Sequence, residues 1–330
     1  MNILMSGSRR GGHIYPCISL YKYLIDYCNV FIVIFKKIDK KLFDLEKINY
    51  YFIDDELPTF TKLKLLRKFI RYQNIEKTIT FGGKNSLYIN LVAKYMNLNC
   101  YIFEQNVILG KANLMNYLIC KKIFTNFQIG LKKEINVGNP NSYNLKCNKI
   151  NLFNNNKITI LITMGSLGSD SVNKIIKQFI KSNNSYNIIY VLGNNIKSEI
   201  QNSNSVKIFN YYTPLTDLIN YCDIVISRAG ASTLSEIIAL HKPSIIIPSP
   251  YVANNHQYKN AKYLFDKKAC LFIEEKNTNV SNLNELILKL SVNKNLYKNI
   301  KENLIKLSKK DNFKLIKDVI LDDNIWEFKF

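Results

Sequence analysis

Short apolar runs alternate with amphipathic segments along the whole chain. This alternation predicts parallel β-strands joined by α-helices, because buried parallel strands are continuously apolar and amphipathic helices repeat their apolar positions with the helical period. We predict strands at residues 2–5, 30–35, 50–53, 78–81, 100–103, 157–163, 187–192, 206–209, 223–227, 244–247 and 269–273. We predict helices at residues 14–27, 231–240, 254–266, 281–310 and 312–321, with others inside 58–76, from the end of a glycine-rich loop at 82–86 to about residue 97, and from Asp170.

The chain is long enough for two domains. Its 330 residues compare with about 150 residues for a typical domain. An asparagine-rich stretch at residues 144–156 has the composition of a linker. The sequence therefore predicts a first domain at residues 1–145 and a second domain at residues 146–311.

Residues 223–261 carry the most informative pattern. A strand that ends at Ser227 is followed by a tight turn at Gly230 and by a helix, an arrangement that points backbone N–H groups at an anion. Glu236 lies inside this helix, where a carboxylate is placed to accept hydrogen bonds from ribose hydroxyls. An ordinary strand–helix–strand unit has the same layout, so the spacing alone leaves a purely structural role equally open.

The next helix adds polar side chains near its start. His256, Gln257 and Asn260 occupy neighbouring positions of one helix face. Their hydrogen-bonding groups are therefore expected to converge on the same crevice as the Gly230 turn.

The run RAGASTLSE at residues 228–236, followed by NNHQYKNA at residues 254–261, resembles the nucleotide-sugar motif of the MurG family. These glycosyltransferases add N-acetylglucosamine to the lipid-linked muramyl-peptide precursor of peptidoglycan. Shorter matches to the family's glycine-rich loops and polar motifs lie at residues 6–16, 82–86, 104–106, 138–140 and 165–168. The chain departs from the family pattern at Arg9, Arg10, Lys84, Phe103, Ser142 and Leu167.

The resemblance implies an α/β fold of the GT-B type, with two Rossmann-like domains at a central cleft and a C-terminal helix, at about residues 312–330, that packs back on the first domain. It implies an inverting transfer from UDP-N-acetylglucosamine, bound by the second domain, to the undecaprenyl-linked muramyl peptide, bound by the first. That reaction converts lipid I to lipid II in peptidoglycan synthesis and serves cell shape and cell division. The alternatives are a related lipid glycosyltransferase and a paralogue that binds a UDP-sugar without turnover.

Glycosyl transfer needs a general base that deprotonates the acceptor hydroxyl. His13 is the leading candidate because the pKa of histidine lies near neutrality, and Glu104 is the second candidate. Without the resemblance, a capping or packing role is the more frequent one for a histidine at a helix start. The resemblance implies a donor site formed by Arg10, Gly11, Gly12, Asn106, Ser166, Tyr212, Ala231, Ser232, Thr233, Leu234, Ser235, Glu236, Gln257 and Asn260.

Two other features concern cations. Arg228 stands beside the Gly230 turn, where it either meets the charge of the diphosphate or supports the turn. The sequence contains no Asp-x-Asp motif of the kind that holds a divalent ion in other sugar transferases. We therefore expect neither a metal nor another cofactor.

The formal net charge of +21 is of the size that attracts nucleic acid or an anionic membrane. Only five residues are arginines, and Lys, Asn, Ile and Tyr are abundant throughout, so the charge reflects compositional bias and predicts no nucleic-acid partner. Neither a spanning segment of about 18 apolar residues nor a signal peptide is evident, and the seven scattered cysteines suit a reducing compartment. We expect a peripheral protein on the cytoplasmic side of the cell membrane.

One segment bears on that membrane contact. Within residues 58–76, a helical pattern places Phe60, Leu63, Leu66 and Ile70 on one face and Lys64, Arg67, Lys68 and Arg71 on the other. The pattern fits a surface helix packed on the core and an interfacial helix attracted to anionic lipid about equally well.

Overall fold

The computed structural model describes residues 1–7, 11–165, 170–193 and 200–322 of the chain. These residues form two compact units. The first unit comprises Met1–Tyr143 together with Lys309–Phe330, and the second comprises Asn144–Ser308.

The described part of the first unit contains a parallel sheet. Its strands are β1 (Asn2–Ser6), β2 (Asn29–Ile34), β3 (Tyr50–Phe52), β4 (Lys77–Thr80), β5 (Asn99–Glu104), β6 (Lys122–Thr125) and β7 (Glu134–Asn136). They lie side by side in the order β3-β2-β1-β4-β5-β6-β7. The central strand β4 is buried along its whole length, as expected for a parallel strand covered on both faces.

The helices that connect these strands are α1 (Gly11–Leu24), α2 (Lys37–Leu45), α3 (Thr59–Tyr72), α4 (Lys84–Tyr95) and α5 (Lys111–Ile119). Helix α1 begins earlier than the sequence predicted, so Pro16 lies in its second turn rather than its first. A proline there has no N–H for the carbonyl of Gly12, which loses its helical partner.

The second unit repeats this architecture. Its described strands are β8 (Thr159–Thr163), β9 (Asn187–Val191), β10 (Val206–Phe209), β11 (Ile224–Ser227), β12 (Ser244–Ile246) and β13 (Leu271–Phe272). They form a parallel sheet in the order β10-β9-β8-β11-β12-β13. Its helices are α6 (Asp170–Ser182), α7 (Leu215–Tyr221), α8 (Ala231–Ala239), α9 (His256–Asp266), α10 (Val280–Val292) and α11 (Lys294–Leu307).

The last helix, α12 (Phe313–Leu321), belongs to the first unit. Ile316 and Ile320 lie in that unit's core together with residues of α1 and β1. The ammonium group of the buried Lys77 donates a hydrogen bond of 2.6 Å to the Ile320 carbonyl. A cation stabilises the C-terminal end of a helix, so Lys77 fixes the end of α12.

Helix α4 begins at Lys84, within the residues predicted as a glycine-rich loop. Two further helix predictions also differ from the structure. The helix predicted at 281–310 is divided into α10 and α11 because Asn293 leaves the helical conformation and its side chain caps α11 by accepting a bond of 2.9 Å from Leu296 N. The helix predicted from residue 254 begins at His256, since Asn254 and Asn255 have φ values of 55° and 50°. The short elements β6, β7, α2, α5 and α7 lacked a pattern strong enough to predict.

The two strand orders define where ligands bind. In each sheet the first strand of the chain lies near the middle, the next two strands are added on one side of it, and the later strands are added on the other side. This switch lies between β1 and β4 in the first unit and between β8 and β11 in the second. This order is that of the Rossmann fold, whose ligands lie at the carboxyl ends of the strands at this switch point. The α/β fold predicted from the sequence, with two Rossmann-like domains, is confirmed.

Candidate active site

In the first unit, His13 lies at the switch point. It stands in the first turn of α1, and its ring Nδ1 donates a hydrogen bond to the carbonyl of Phe81, directly after β4. The amide Nε2 of Gln105 donates to the same carbonyl at 3.4 Å. Because Nδ1 carries the proton in this arrangement, the lone pair of a neutral His13 lies on Nε2.

Gly82 allows the His13 ring to take this position. Its φ of +89° lies in a region that residues with a Cβ rarely adopt. A Cβ at Gly82 would lie 2.8 Å from Cε1 and 2.9 Å from Nδ1 of His13. The glycine-rich loop at residues 82–86, here called the second glycine-rich loop, therefore contacts the candidate base itself. The sequence did not reveal this relationship.

Glu104 is buried at the end of β5, and both of its oxygens accept hydrogen bonds. Oε1 accepts from the backbone N and the side-chain Nδ2 of Asn106, at 3.0 and 3.2 Å. Oε2 accepts from Gly110 N at 3.0 Å and from Asn113 Nδ2 at 2.9 Å. A carboxylate engaged by four donors organises the loop after β5, which favours His13 over Glu104 as the base.

In the second unit, the turn between β11 and α8 presents a helix N-terminus. Gly230 precedes α8 without a side-chain cap, so the first N–H groups of the helix, at Ala231, Ser232 and Thr233, have no partner within the helix. Leu234 and Ser235 are buried, and the Ser235 hydroxyl donates to the Ala231 carbonyl at 2.7 Å. Of the predicted donor-site residues in this run, the first three suit an anion and the next two pack the helix.

Glu236 follows in the second turn of α8 and is half-buried. Burial raises the pKa of its carboxyl from 4.5 to about 7. Desolvation is the cause of this shift, and among the described residues no cation offsets it. The carboxyl therefore changes its charge close to neutral pH.

Arg228 is committed to protein partners. Its Nη2 lies 2.6 Å from Oε2 of Glu275, and its Nη1 donates to the Ile247 carbonyl at 3.1 Å. The other oxygen of Glu275 accepts a hydrogen bond from the hydroxyl of Ser171, at the start of α6. Of the two roles left open for Arg228, support of the turn agrees with this geometry. Glu275 was not predicted, since nothing in its local sequence distinguishes it from a surface carboxylate.

The predicted residues of α9 have different surroundings. The fully buried Asn260 donates from Nδ2 to the Ala229 carbonyl at 3.1 Å, which ties α9 to the β11–α8 turn. Gln257 accepts a hydrogen bond at Oε1 from Ser249 N at 2.9 Å. This contact uses the acceptor of the amide and does not use the N–H donors of its NH₂ group. His256 contacts the Ala253 carbonyl through Nδ1 at 2.9 Å.

The remaining predicted residues divide into two groups. Gly11 and Gly12 open helix α1, and Tyr212 is half-buried beside Phe209, with ring centroids 5.1 Å apart. Arg10 and Ser166 lie outside the described residues. The structure thus gathers His13, Gly12, Glu104 and Asn106 in the first unit and the residues of α8 and α9 in the second.

Comparison with known proteins gives the class. Residues 3–125 match the glycosyltransferase family 28 N-terminal domain, and residues 159–319 match the glycosyltransferase family 28 C-terminal domain. Two Rossmann-like units with glycine-rich turns at their switch points are the architecture of such an enzyme. The protein is a glycosyltransferase.

Individual relatives give the family. The chain is 32% identical to the UDP-N-acetylglucosamine–N-acetylmuramyl-(pentapeptide) pyrophosphoryl-undecaprenol N-acetylglucosamine transferase of Caldicellulosiruptor saccharolyticus, over 94% of each protein. It is 33% identical to the enzyme of that name from Vesicomyosocius okutanii, over 80% of this chain and 76% of the relative. Its fold resembles that of Acinetobacter baumannii MurG, with a TM-score of 0.81 and 20% identity over 97% of this chain and 99% of the other. The chain belongs to the MurG family.

Proposed function

We propose that this glycosyltransferase transfers N-acetylglucosamine from UDP-N-acetylglucosamine to the lipid-linked muramyl peptide, with inversion at the anomeric carbon. The observation that carries the proposal is the β11–α8 turn, where N–H groups at Ala231–Thr233 are followed by the carboxyl of Glu236. This spacing offers hydrogen-bond donors to a diphosphate and an acceptor to the ribose of the same nucleotide.

The second unit binds the donor. The diphosphate lies at the N-terminus of α8, the ribose hydroxyls donate to Glu236, and the NH₂ group of Gln257 donates to the sugar. The resemblance adds Ser166 at the diphosphate and the backbone of Tyr212 at the uracil. From the first unit it adds Arg10, Gly11, Gly12 and Asn106.

The first unit supplies the base. Nε2 of His13 accepts the proton of the acceptor hydroxyl while that oxygen forms a bond to the anomeric carbon of the donor sugar. The bond from that carbon to the diphosphate breaks, and the electron pair leaves with UDP. A single displacement of this kind inverts the anomeric configuration.

The lipid-linked acceptor places the protein peripherally on the cytoplasmic face of the membrane. Helix α5 exposes Leu114, Met115 and Leu118 by 60, 55 and 79%, and α3 exposes Phe60 by 78%. These four residues, here called the apolar patch, lie on helices that both contact α4. On α3, Lys64, Lys68 and Arg71 are exposed, while Leu66 and Ile70 are buried in the core.

This distribution supports the interpretation of α3 as a helix that binds the lipid interface. Its basic face and Phe60 are exposed to solvent, while its other apolar side chains already pack in the core. A large apolar side chain beside exposed cations is the combination that binds anionic lipid. Within the described residues, no helix has the length and hydropathy required to cross a bilayer.

The test is a transfer assay with purified protein and radiolabelled UDP-N-acetylglucosamine. One reaction contains the lipid-linked muramyl peptide and the other contains diacylglycerol. Label in the muramyl-peptide lipid alone is the expected result. Label in diacylglycerol alone would identify a different lipid glycosyltransferase, and donor binding without labelled lipid would identify a non-catalytic paralogue.

A further inference from the structure

We infer that Gly82 and Gln105 are positioning residues for His13, and that they act by holding the Phe81 carbonyl against Nδ1 so that the basic lone pair stays on Nε2. The inference rests on the proposed role of His13 as the general base. It gives the second glycine-rich loop a function in proton transfer, in addition to any contact that its backbone makes with substrate.

The Phe81 carbonyl is a fixed acceptor with two donors. It receives the His13 Nδ1–H and the Gln105 Nε2–H, the second at 3.4 Å. The Phe81 ring is fully buried and stacks on Phe103, with centroids 5.2 Å apart and planes inclined by 14°. Phe103, one of the departures from the family pattern, therefore packs against the residue whose carbonyl orients His13.

A fixed acceptor at Nδ1 determines the tautomer of the neutral ring. Nδ1 must carry the proton to donate to a carbonyl, which leaves Nε2 as the site that accepts a proton. A general base must present its lone pair within hydrogen-bond distance of the proton it removes, so a rotated ring or the other tautomer would be inactive.

Gly82 leaves the space that this contact requires. A Cβ at this position would overlap the His13 ring at Cε1 and Nδ1, at 2.8 and 2.9 Å. On another side it would meet Asn113 Nδ2 at 3.5 Å, and that amide is already held by Glu104 and by the Phe103 carbonyl. An added Cβ therefore displaces the imidazole, since it overlaps the ring while its distance to Asn113 Nδ2 is that of an ordinary van der Waals contact.

The experiment compares Gly82→Ala with Gly130→Ala in the full-length protein. Gly130 has a φ of +79°, close to that of Gly82, and a Cβ there would meet nothing within 4 Å. Both variants thus introduce the same kind of backbone strain, and only Gly82→Ala pushes on His13. We expect Gly82→Ala to lower kcat about a hundredfold, with the KM for UDP-N-acetylglucosamine within about twofold, and Gly130→Ala to retain wild-type kinetics.

A spectroscopic measurement reports on the tautomer directly. The chain has three histidines, so the ring nitrogens of His13 can be assigned by ¹⁵N NMR from the spectrum that His13→Gln loses. Neutral His13 is expected to be protonated at Nδ1 in the wild type and in Gly130→Ala. Gly82→Ala is expected to lose this state, and Gln105→Leu to weaken it and to reduce kcat several-fold.

The outcomes separate the two proposals. If His13→Gln retains wild-type kcat, the base assignment in the proposed function fails. If His13→Gln is inactive while Gly82→Ala matches Gly130→Ala, the proposed function stands and the positioning inference is overturned. Neutral wild-type His13 protonated at Nε2 would also overturn it, even if Gly82→Ala did not fold.

Discussion

The guanidinium of Arg228 lies 2.6 Å from the carboxylate of Glu275, and the two side chains are only 7 and 10% exposed. Glu275 also accepts a hydrogen bond from Ser171, in the first turn of α6. A single carboxylate thus joins the β11–α8 turn to the start of α6. Both of these helix termini lie at the switch point of the second sheet. We therefore propose that Glu275 aligns the two elements that the sequence predicts to bind the diphosphate.

Glu275→Gln is expected to weaken donor binding and to destabilise the fold. The substitution removes the carboxylate from the buried Arg228 guanidinium, and breaking a buried ion pair in this way costs about 3 kcal/mol in comparable sites. We expect the free energy of unfolding to fall by about that amount and the KM for UDP-N-acetylglucosamine to rise about tenfold. Urea denaturation and initial-rate kinetics measure the two effects.

Its neighbour Glu274 is the matched control. Glu274 lies 3.4 Å from Lys276, and both side chains are exposed, by 38 and 73%, so this pair contributes little. Glu274→Gln should leave unfolding and KM near the wild-type values. Equal effects of the two substitutions would contradict an aligning role for the Arg228–Glu275 pair.

Donor binding is expected to strengthen with pH through neutrality. The pKa of Glu236 is raised to about 7, so the carboxyl is mostly protonated below that pH and ionised above it. The ionised form accepts hydrogen bonds from both ribose hydroxyls, which predicts that the affinity for UDP rises about tenfold between about pH 6 and about pH 8. Titration calorimetry of the wild-type protein and of Glu236→Gln measures the affinity for UDP at each pH. If the affinity of the variant depends on pH as that of the wild type does, Glu236 is not the source of the dependence.

The same group predicts an opposite dependence for stability. Its folded pKa is raised above the ordinary 4.5, so the folded state binds the proton more tightly than the unfolded state. Its contribution to stability is complete below about pH 4.5 and is lost as the pH rises toward about 7. Glu236→Gln should therefore raise Tm relative to the wild type at about pH 8 and have little effect at about pH 4.5. A Tm gain confined to the acidic side would contradict the sign.

Membrane binding is expected to depend on the apolar patch. Leu118→Asp introduces a charge where a 79% exposed leucine is proposed to enter the lipid interface. We expect about tenfold weaker partition onto anionic vesicles, with Tm unchanged because the side chain packs against little protein. Leu288→Asp, at a 55% exposed leucine of α10 in the second unit, is the control and should bind vesicles normally. Similar losses in both variants would argue against a localised patch.

The attachment of α12 is expected to depend on Lys77. Lys77→Met removes the charged donor that holds the Ile320 carbonyl, an interaction worth about 2 kcal/mol. Hydrogen exchange in residues 313–321 should accelerate while exchange in β8 is unchanged. Protection of α12 equal to that of the wild type would show that its apolar contacts alone hold it.

Much of the fold and part of the site were predictable because they are local. Continuous apolar runs such as residues 157–163 identify buried parallel strands, and Gly230 followed by a helical pattern identifies the turn before α8, for which anion binding stays a proposal. Asn293 escaped prediction because an asparagine is compatible with helix and cap alike, and only tertiary packing decides between them.

The relationships within the site were not predictable, since they join residues far apart in sequence. Nothing near Glu275 indicates that it meets Arg228, and nothing near Gly82 indicates that a Cβ would strike His13. The sequence offers Glu104 as a second candidate base. The four donors that surround it become visible only when the loop after β5 is folded.

The most direct test of the account is the configuration of the glycosidic bond in the product. The protein is incubated with UDP-[¹³C]N-acetylglucosamine, in which the sugar is α-linked, and with the lipid-linked muramyl peptide, and the anomeric coupling of the labelled product is read by NMR. A single displacement assisted by His13 predicts a β-linked product. An α-linked product would contradict it.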